Sequence, residues 1–265
     1  MKKQLIKDPV KRPYPLNYHE RTEHVFPQSS LQNQLLKIEN FTISNKMKIN
    51  TSKSNIMIFN KAKNFDFQPE YAFRNGQTLS VIEETRLLGI QLRTDLRWSS
   101  NVKSIYKRAM SKMWLLRRMK VLNLEPRIIL EYYLKEIRVL AEQAVPIWNS
   151  GLTKKQVDDL ERIQKVALKI ILAEKYENYQ NACKTFNLEN MATRRLTLST
   201  NFAVRLYKSD RSSQFFTHAK QNSSRRDGNR LVVEDMSRTK RCYNAPHNYL
   251  SRLVNLNAAK IRKTL

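Results

Sequence analysis

The chain has 265 residues and a formal net charge of +26, from 49 Lys and Arg against 23 Asp and Glu. That length supports one or two domains with a sizeable core, and an apolar fraction of 41% excludes wholesale disorder. Its four glycines are too few for a Gly-rich phosphate cradle, and so one-sided a charge calls for a polyanion, nucleic acid first and a membrane surface second.

Residues 1–28 are basic and punctuated by Pro9, Pro13, Pro15 and Pro27, which predicts an extended lead-in. No apolar stretch follows the first lysines, so a secretory signal is not expected. No run approaches a membrane span, since even VALKIILA is broken by Lys169. An intracellular protein, cytoplasmic or nuclear, is the expectation. A helix is predicted from Ser29 or Ser30, capped by a serine, with Leu31, Leu35 and Ile38 on one face. Met47 and Ile49 alternate with Lys48 as in a half-buried strand, and Asn50 to Ser54 is polar and predicts a turn. Asn55 to Phe59 is nearly continuous in apolar residues and predicts a buried strand. Phe65 and Phe67 alternate in another. Asn75–Gly76 is a hairpin signal between Phe73 and Leu79. Arg86 to Leu92 closes this β-rich part, and Gly89 inside it reads as a bulge or a close backbone approach.

From Ser99 the period becomes helical. Val102, Ile105, Ala109, Met113 and Leu116 keep one face; Leu130, Leu134, Ile137, Ala141 and Ala144 keep another. Pro126 suits a first helical turn, and Pro146 and Gly151 interrupt before a third helix faced by Val157, Leu160, Ile163, Ala167 and Ile170. Further helices are predicted at 176–187 and 190–208. Beyond Asp210 the chain turns polar and basic, which predicts loops and one short helix near 247–255.

Cys183 and Cys242 suggest no disulfide framework. His19, His24, His218 and His247 lie at no metal-ligand spacing, so no metal site is assigned. The stretch VDDL, with Asp158–Asp159, resembles the aspartate pair with which polymerases hold catalytic metal ions. Such a pair needs the bend of a β-hairpin to aim both carboxylates at two ions. Here Thr153 and Gln156 form a capping box that starts a helix. Asp158 and Asp159 then fall in its first two turns, where the macrodipole favours negative charge.

Four other stretches, in order, resemble the C-terminal part of the reverse transcriptase of non-LTR (LINE-type, jockey-like) retrotransposons. IENFTISNKMKINTSKSNIMIFN, Ile38 to Asn60, is similar to the late helix–strand–turn–strand of the palm, with Lys53 in an N-x-x-K-[ST] loop. ETRLLGIQLRTDLRWSSNV, Glu83 to Val102, resembles the primer-grip strand with its Leu-Gly-Ile, then Leu-x-Trp and the first thumb helix. IWNSGLTKKQVDDLERIQKVALKIIL, Ile147 to Leu172, resembles the thumb pattern W…G-L…L-E-x-I-Q-[KR]. ACKTFNLENMATRRLTLSTNFAVRLYKS, Ala182 to Ser209, resembles the segment after it, including the Arg194–Arg195 pair. Phe41 stands where a Trp is usual and Asn101 where a His is usual.

The resemblance implies an α+β fold: a partial palm of two to four antiparallel strands plus helix over 29–98, an all-α thumb-like bundle over 99–209, and an irregular basic tail over 210–265. The catalytic hairpin with its metal-binding aspartates would lie N-terminal to this region. The expectation is therefore a polymerase fragment that contacts an RNA/DNA primer–template without polymerising alone. Intact family enzymes would use Mg²⁺; no cofactor is expected in this chain, and a separate N-terminal half is an implied partner. The alternative is a stand-alone basic nucleic-acid-binding or assembly protein.

The implied contacts are Lys53, near the leaving pyrophosphate as a general acid; Leu88 and Gly89 of the primer grip; and Lys103, Lys107, Lys112, Arg117 and Arg118 of the first thumb helix, laid along a duplex. Arg108 and Lys120 extend that basic set. Each has a plainer counterpart: a solvated turn lysine, a β-bulge, a solvated helix face. Trp98, Trp114 and Trp148 are all expected in the core. Arg225–Arg226 and Arg238 to Arg241 either touch RNA or form a solvated end.

Overall fold

The structure, a computed structural model, describes residues 28–59, 71–219, 230–237 and 239–263. The lead-in through Pro27, the strand expected at Phe65 and Phe67, and Arg225–Arg226 lie outside these. The protein is mixed α+β and mostly helical, and the described residues form two two-stranded sheets. Its described residues fall into two compact units, the first of residues 28–56 and 71–81, the second of residues 57–59 and the chain from 82 onward.

The first unit opens with helix α1, Gln28–Ser44. Its inward side is not the expected apolar stripe: Leu31 is 39% and Ile38 55% exposed, whereas Glu39 is buried. The reason lies in the turn it packs against. Gln32 Nε2 donates to the Ala72 carbonyl at 2.8 Å, and the Arg74 amide donates to Glu39 Oε1 at 3.0 Å. Main-chain groups of an irregular segment need partners, and polar helix residues supply them here. Tyr71 and Phe73 in that turn segment are themselves buried. Asn75–Gly76 does turn the chain, with the Phe73 amide donating to Gln77 O at 2.9 Å and Gly76 at φ +79°, the left-handed residue of a three-residue loop.

Two strand expectations are corrected in this unit. Met47 to Ile49 forms no strand, and the Asn55–Phe59 run contributes only β1, Asn55–Ile56, none of it buried. β1 pairs with β2, Ser80–Val81, in parallel, Asn55 opposite Ser80 and Ile56 opposite Val81. The expectation of purely antiparallel strands fails because residues 57–79 connect the pair, a length that permits the crossover a parallel pair requires.

The second unit begins with β3, Glu84–Leu87, and β4, Ile90–Arg93, an antiparallel hairpin in which Leu87 faces Ile90. Gly89 is therefore not a bulge within a strand. With Leu88 it forms the two-residue turn itself, at φ +88° and +49°, the doubly left-handed type that matches strand twist. The sequence grouped this hairpin with the strands before it; it packs with the helices after it, through Ile90, Leu92 and Trp98.

Helix α2, Ser99–Val121, buries Val102, Ile105, Ala109, Met113 and Leu116, the stripe its period predicts. Helix α3, Pro126–Tyr132, starts on its proline and runs through a π-helical stretch, Tyr133–Arg138, into α4, Val139–Glu142. Ile129, Tyr133, Ile137 and Ala141 are all fully buried, a strict four-residue spacing. In a pure α-helix that spacing drifts round the cylinder; the wider i→i+5 turn takes up the drift and keeps all of them inward. After Ala144, left-handed at φ +51°, come α5, Val145–Trp148, and α6, Lys154–Leu172. Helix α6 turns Leu160, Ile163, Ala167, Leu168 and Ile171 into the same core. Helices α7, Tyr179–Thr185, and α8, Met191–Lys208, close this bundle close to their predicted positions.

In the tail, the short helix expected near 247–255 is present as α11, Pro246–Leu256, and the expectation of loops around it is corrected in part: the described residues also form α9, Ser212–Phe215, α10, Lys240–Tyr243, and α12, Ala258–Arg262. Phe216, Val232, Leu250, Leu253, Val254 and Ile261 cluster with Ala203 of α8 into a second buried core. Asn255 ties Leu231–Val232 to it, accepting from the Leu231 and Val232 amides at 2.9 and 3.1 Å and donating to Val232 O at 3.0 Å. No helix among the described residues is long and apolar enough to cross a membrane.

Candidate nucleic-acid interface

Helix α2 has seven basic residues and no acidic one over 23 residues. The structure sorts those seven. Lys112 Nζ is 2.6 Å from Glu136 Oε2, and Lys120 Nζ donates to Ile171 O at 3.2 Å, at the C-terminal end of α6. These two are committed inside the unit; Lys120 meets the negative end of the α6 dipole. Arg108 is half-buried, and burial, with the nearby charge of Arg86 behind it, holds its pKa below the usual arginine value. Lys103, Lys107, Arg117 and Arg118 stay exposed and form no ion pair with any described residue.

An aromatic residue stands among them. Trp98 and Trp148 are buried as expected, at 7% and 0% exposure, but Trp114 is 59% exposed. The core assignment of Trp114 is corrected: it sits one position beyond the buried Met113, and helical rotation carries it to the outer face. There it lies one turn before Arg117–Arg118 and two turns after Lys107. Trp98, by contrast, packs closely against Gly151, where an added Cβ would come within 2.7 Å of its indole. Trp148 donates from Nε1 to Gln143 O at 2.9 Å. The Leu-x-Trp and W…G-L stretches thus meet in one contact.

Leu88 and Gly89 stand at the tip of the β3–β4 hairpin, Leu88 at 88% exposure. Gln143 Nε2 donates to Leu88 O at 3.1 Å and occupies the space a Gly89 side chain would need. Asn101 supports this hairpin from α2: its Oδ1 accepts from the Gln91 amide at 3.1 Å. Lys53 belongs to the first unit, in the 3-10 turn Thr51–Lys53, capped by Asn50 Oδ1 at 3.2 Å from the Lys53 amide; its side chain is exposed. Lys53 therefore lies in one unit, and Leu88, Gly89 and the α2 cations in the other.

Asp158 and Asp159 lie on α6, as the capping box predicts: the Gln156 amide donates to Thr153 Oγ1 and the Thr153 amide to Gln156 Oε1. They fall in the second turn rather than the first, beyond the main reach of the macrodipole. Among the described residues no three His, Cys, Asp or Glu side chains group as metal ligands would.

Sequence reasoning missed a buried polar network. Gln164 sits fully buried in the apolar stripe of α6, accepts from Tyr133 Oη and donates to Tyr179 Oη, both at 3.0 Å, and also donates to Glu189 O at 2.9 Å. Glu161 accepts from Tyr179 Oη and from the Met191 and Ala192 amides, at 3.0 and 3.1 Å for the latter two, and so caps α8. Burial raises the pKa of both tyrosines, aided at Tyr179 by Glu161. The Arg194–Arg195 pair is also structural. Arg194 Nε meets Glu142 Oε1 at 3.0 Å, and Arg195, 1% exposed, donates to Asn149 Oδ1 at 3.1 Å. A signal did exist: Gln164 and Arg195 occupy core positions of their helices' periods. No family model, curated protein or solved structure matches this chain.

Proposed function

We propose that this chain contacts primer–template nucleic acid through the outer face of α2, as the thumb of a reverse transcriptase would, and does not polymerise by itself. The observation that carries the nucleic-acid reading is α2: an acid-free helix whose Lys103, Lys107, Arg117 and Arg118 remain uncommitted to carboxylates of the described fold. A set of one sign without counter-charges costs self-repulsion, which a phosphate backbone relieves. The reverse-transcriptase reading rests on the four sequence stretches; the Trp98–Gly151 contact supports it by joining two of them. The reading as a non-polymerising fragment is favoured because the one Asp–Asp pair in the sequence lies on a helix, where neighbouring side chains diverge.

The test is binding of the full chain to an RNA–DNA duplex, followed by fluorescence anisotropy over a range of salt. Affinity should fall steeply, with a log–log slope of about −0.9 per phosphate neutralised, and should vary little with sequence. Replacing Lys103, Lys107, Arg117 and Arg118 by Gln should flatten that slope by roughly 3 to 4. A slope near zero in the unaltered protein refutes the proposal. Adding Mg²⁺ and deoxynucleotides to the bound complex should give no primer extension.

A further inference from the structure

We infer that Trp114 is a stacking platform for an unpaired base, so that the α2 face binds single-stranded or frayed nucleic acid as well as duplex phosphates. This inference rests on the nucleic-acid reading above and adds to it which form of the ligand the face distinguishes.

The argument starts from placement. Trp114 is the one indole of the three that reaches solvent, and its face carries no carboxylate. Its helical neighbours at one-turn spacing are Arg117 and Arg118 on one side and Met110 and Ser111 on the other, with Lys107 a turn further. With 59% of its surface exposed, the indole is not needed to complete the apolar stripe of α2: Val102, Ile105, Ala109, Met113 and Leu116 already fill the core side. A phosphate chain held by Lys107 and Arg118 runs past the ring. A paired base in a duplex keeps its π-face stacked on its neighbours and cannot offer it, whereas an unpaired base can. Aromatic side chains set along a basic track are the standard means of binding single strands without reading sequence. An acidic protein surface satisfies the cations equally well but has no flat partner for the indole.

The experiment uses the full chain and two probes, an oligothymidylate and a blunt RNA–DNA duplex, each titrated over a range of salt from low to moderate. Because Trp98 and Trp148 are buried, quenching of tryptophan emission on titration reports Trp114. Oligothymidylate should quench strongly and duplex weakly. W114A should lose roughly tenfold in oligothymidylate affinity, keep its duplex affinity and keep its salt slope; W114F, which retains a π-face, should recover most of the loss. An exposed position makes both variants foldable, and circular dichroism verifies it. Equal losses on the two probes, or no loss on either, overturn the inference. Polyglutamate that quenches Trp114 and competes as well as oligothymidylate assigns the face to an acidic protein instead. If neither nucleic acid binds at low salt, the underlying reading falls; if both bind with steep salt dependence and W114A is silent, only the stacking role falls.

Discussion

Leu88 occupies a backbone conformation that residues other than Gly and Asn seldom adopt, at φ +49°, and does so with its side chain almost wholly in water. Strain of that sort costs about 1–2 kcal/mol, and no burial offsets it. Leu88→Asn should therefore raise stability by about 1 kcal/mol in chemical unfolding, because Asn-Gly suits this turn. If the same variant also weakens duplex binding, the strained leucine is retained for contact rather than for folding. Gly89→Ala should act in the other direction, through its φ of +88° and the Gln143 amide that fills the space beside it. The buried tyrosines give a pH signature. Tyr133 is held neutral by burial, so its folded pKa lies above the unfolded value. Its contribution is complete below an unfolded pKa of about 10 and is lost as pH rises toward the folded value. Tyr133→Phe should cost about 1 kcal/mol at neutral pH by leaving Gln164 short of a partner. It should also flatten the decline of stability above about pH 10, where each such group contributes up to about 1.4 kcal/mol per pH unit. An unchanged alkaline slope would show that Tyr133 ionises as freely in the folded protein as in the unfolded one.

Helices with one unambiguous stripe were legible in the sequence. The α2 stripe was complete because five apolar residues recur at helical spacing with nothing competing for the inner face. Helix α1 was legible as a helix but not in its orientation, because its inner face is chosen by main-chain groups of a turn far along the chain, which no local period encodes. The strands were the least legible elements. β1 and β2 are two residues each, too short for alternation to declare itself, and their parallel pairing depends on a distant partner. Leu-Gly read as strand because apolar residues flank it; a leucine in a left-handed turn breaks the preference that marks such turns. Helix α6 separates a cap from a catalytic pair. Thr153→Ala should destabilise by about 1 kcal/mol, since it frees the Gln156 amide. Asp158→Asn should be nearly neutral, because its carboxylate is exposed and past the first turn. A Mg²⁺-dependent rise in melting temperature that Asp158→Asn abolishes would instead mark the pair as a metal site.

Across the second unit, the part sequence composition hid is the tail. Residues after Asp210 are polar on average, so a composition argument predicts loops around one short helix, yet the few apolar side chains there converge: Phe216, Val232, Leu250, Leu253, Val254 and Ile261. Averages cannot see convergence between residues 216 and 261. The consequence reaches α8, which turns Met191 into the first core and Ala203 into the second. One helix therefore shares two clusters, and the tail should be coupled to the bundle rather than appended to it. Leu253→Ala removes a side chain that is 4% exposed. It should cost about 2–5 kcal/mol, a large part of the total stability of an ordinary domain. If α8 transmits that loss, hydrogen exchange should quicken at its C-terminal amides, Ala203 to Lys208, as well as in α11. The amides of α2 around Ala109, deep in the first core, should change less. Acceleration confined to α11, with Ala203 to Lys208 unmoved, would mean that the tail packs on α8 without supporting it. A uniform acceleration through α2 would mean instead that both cores unfold as one, and that the basic face of α2 depends on a tail that composition marks as dispensable.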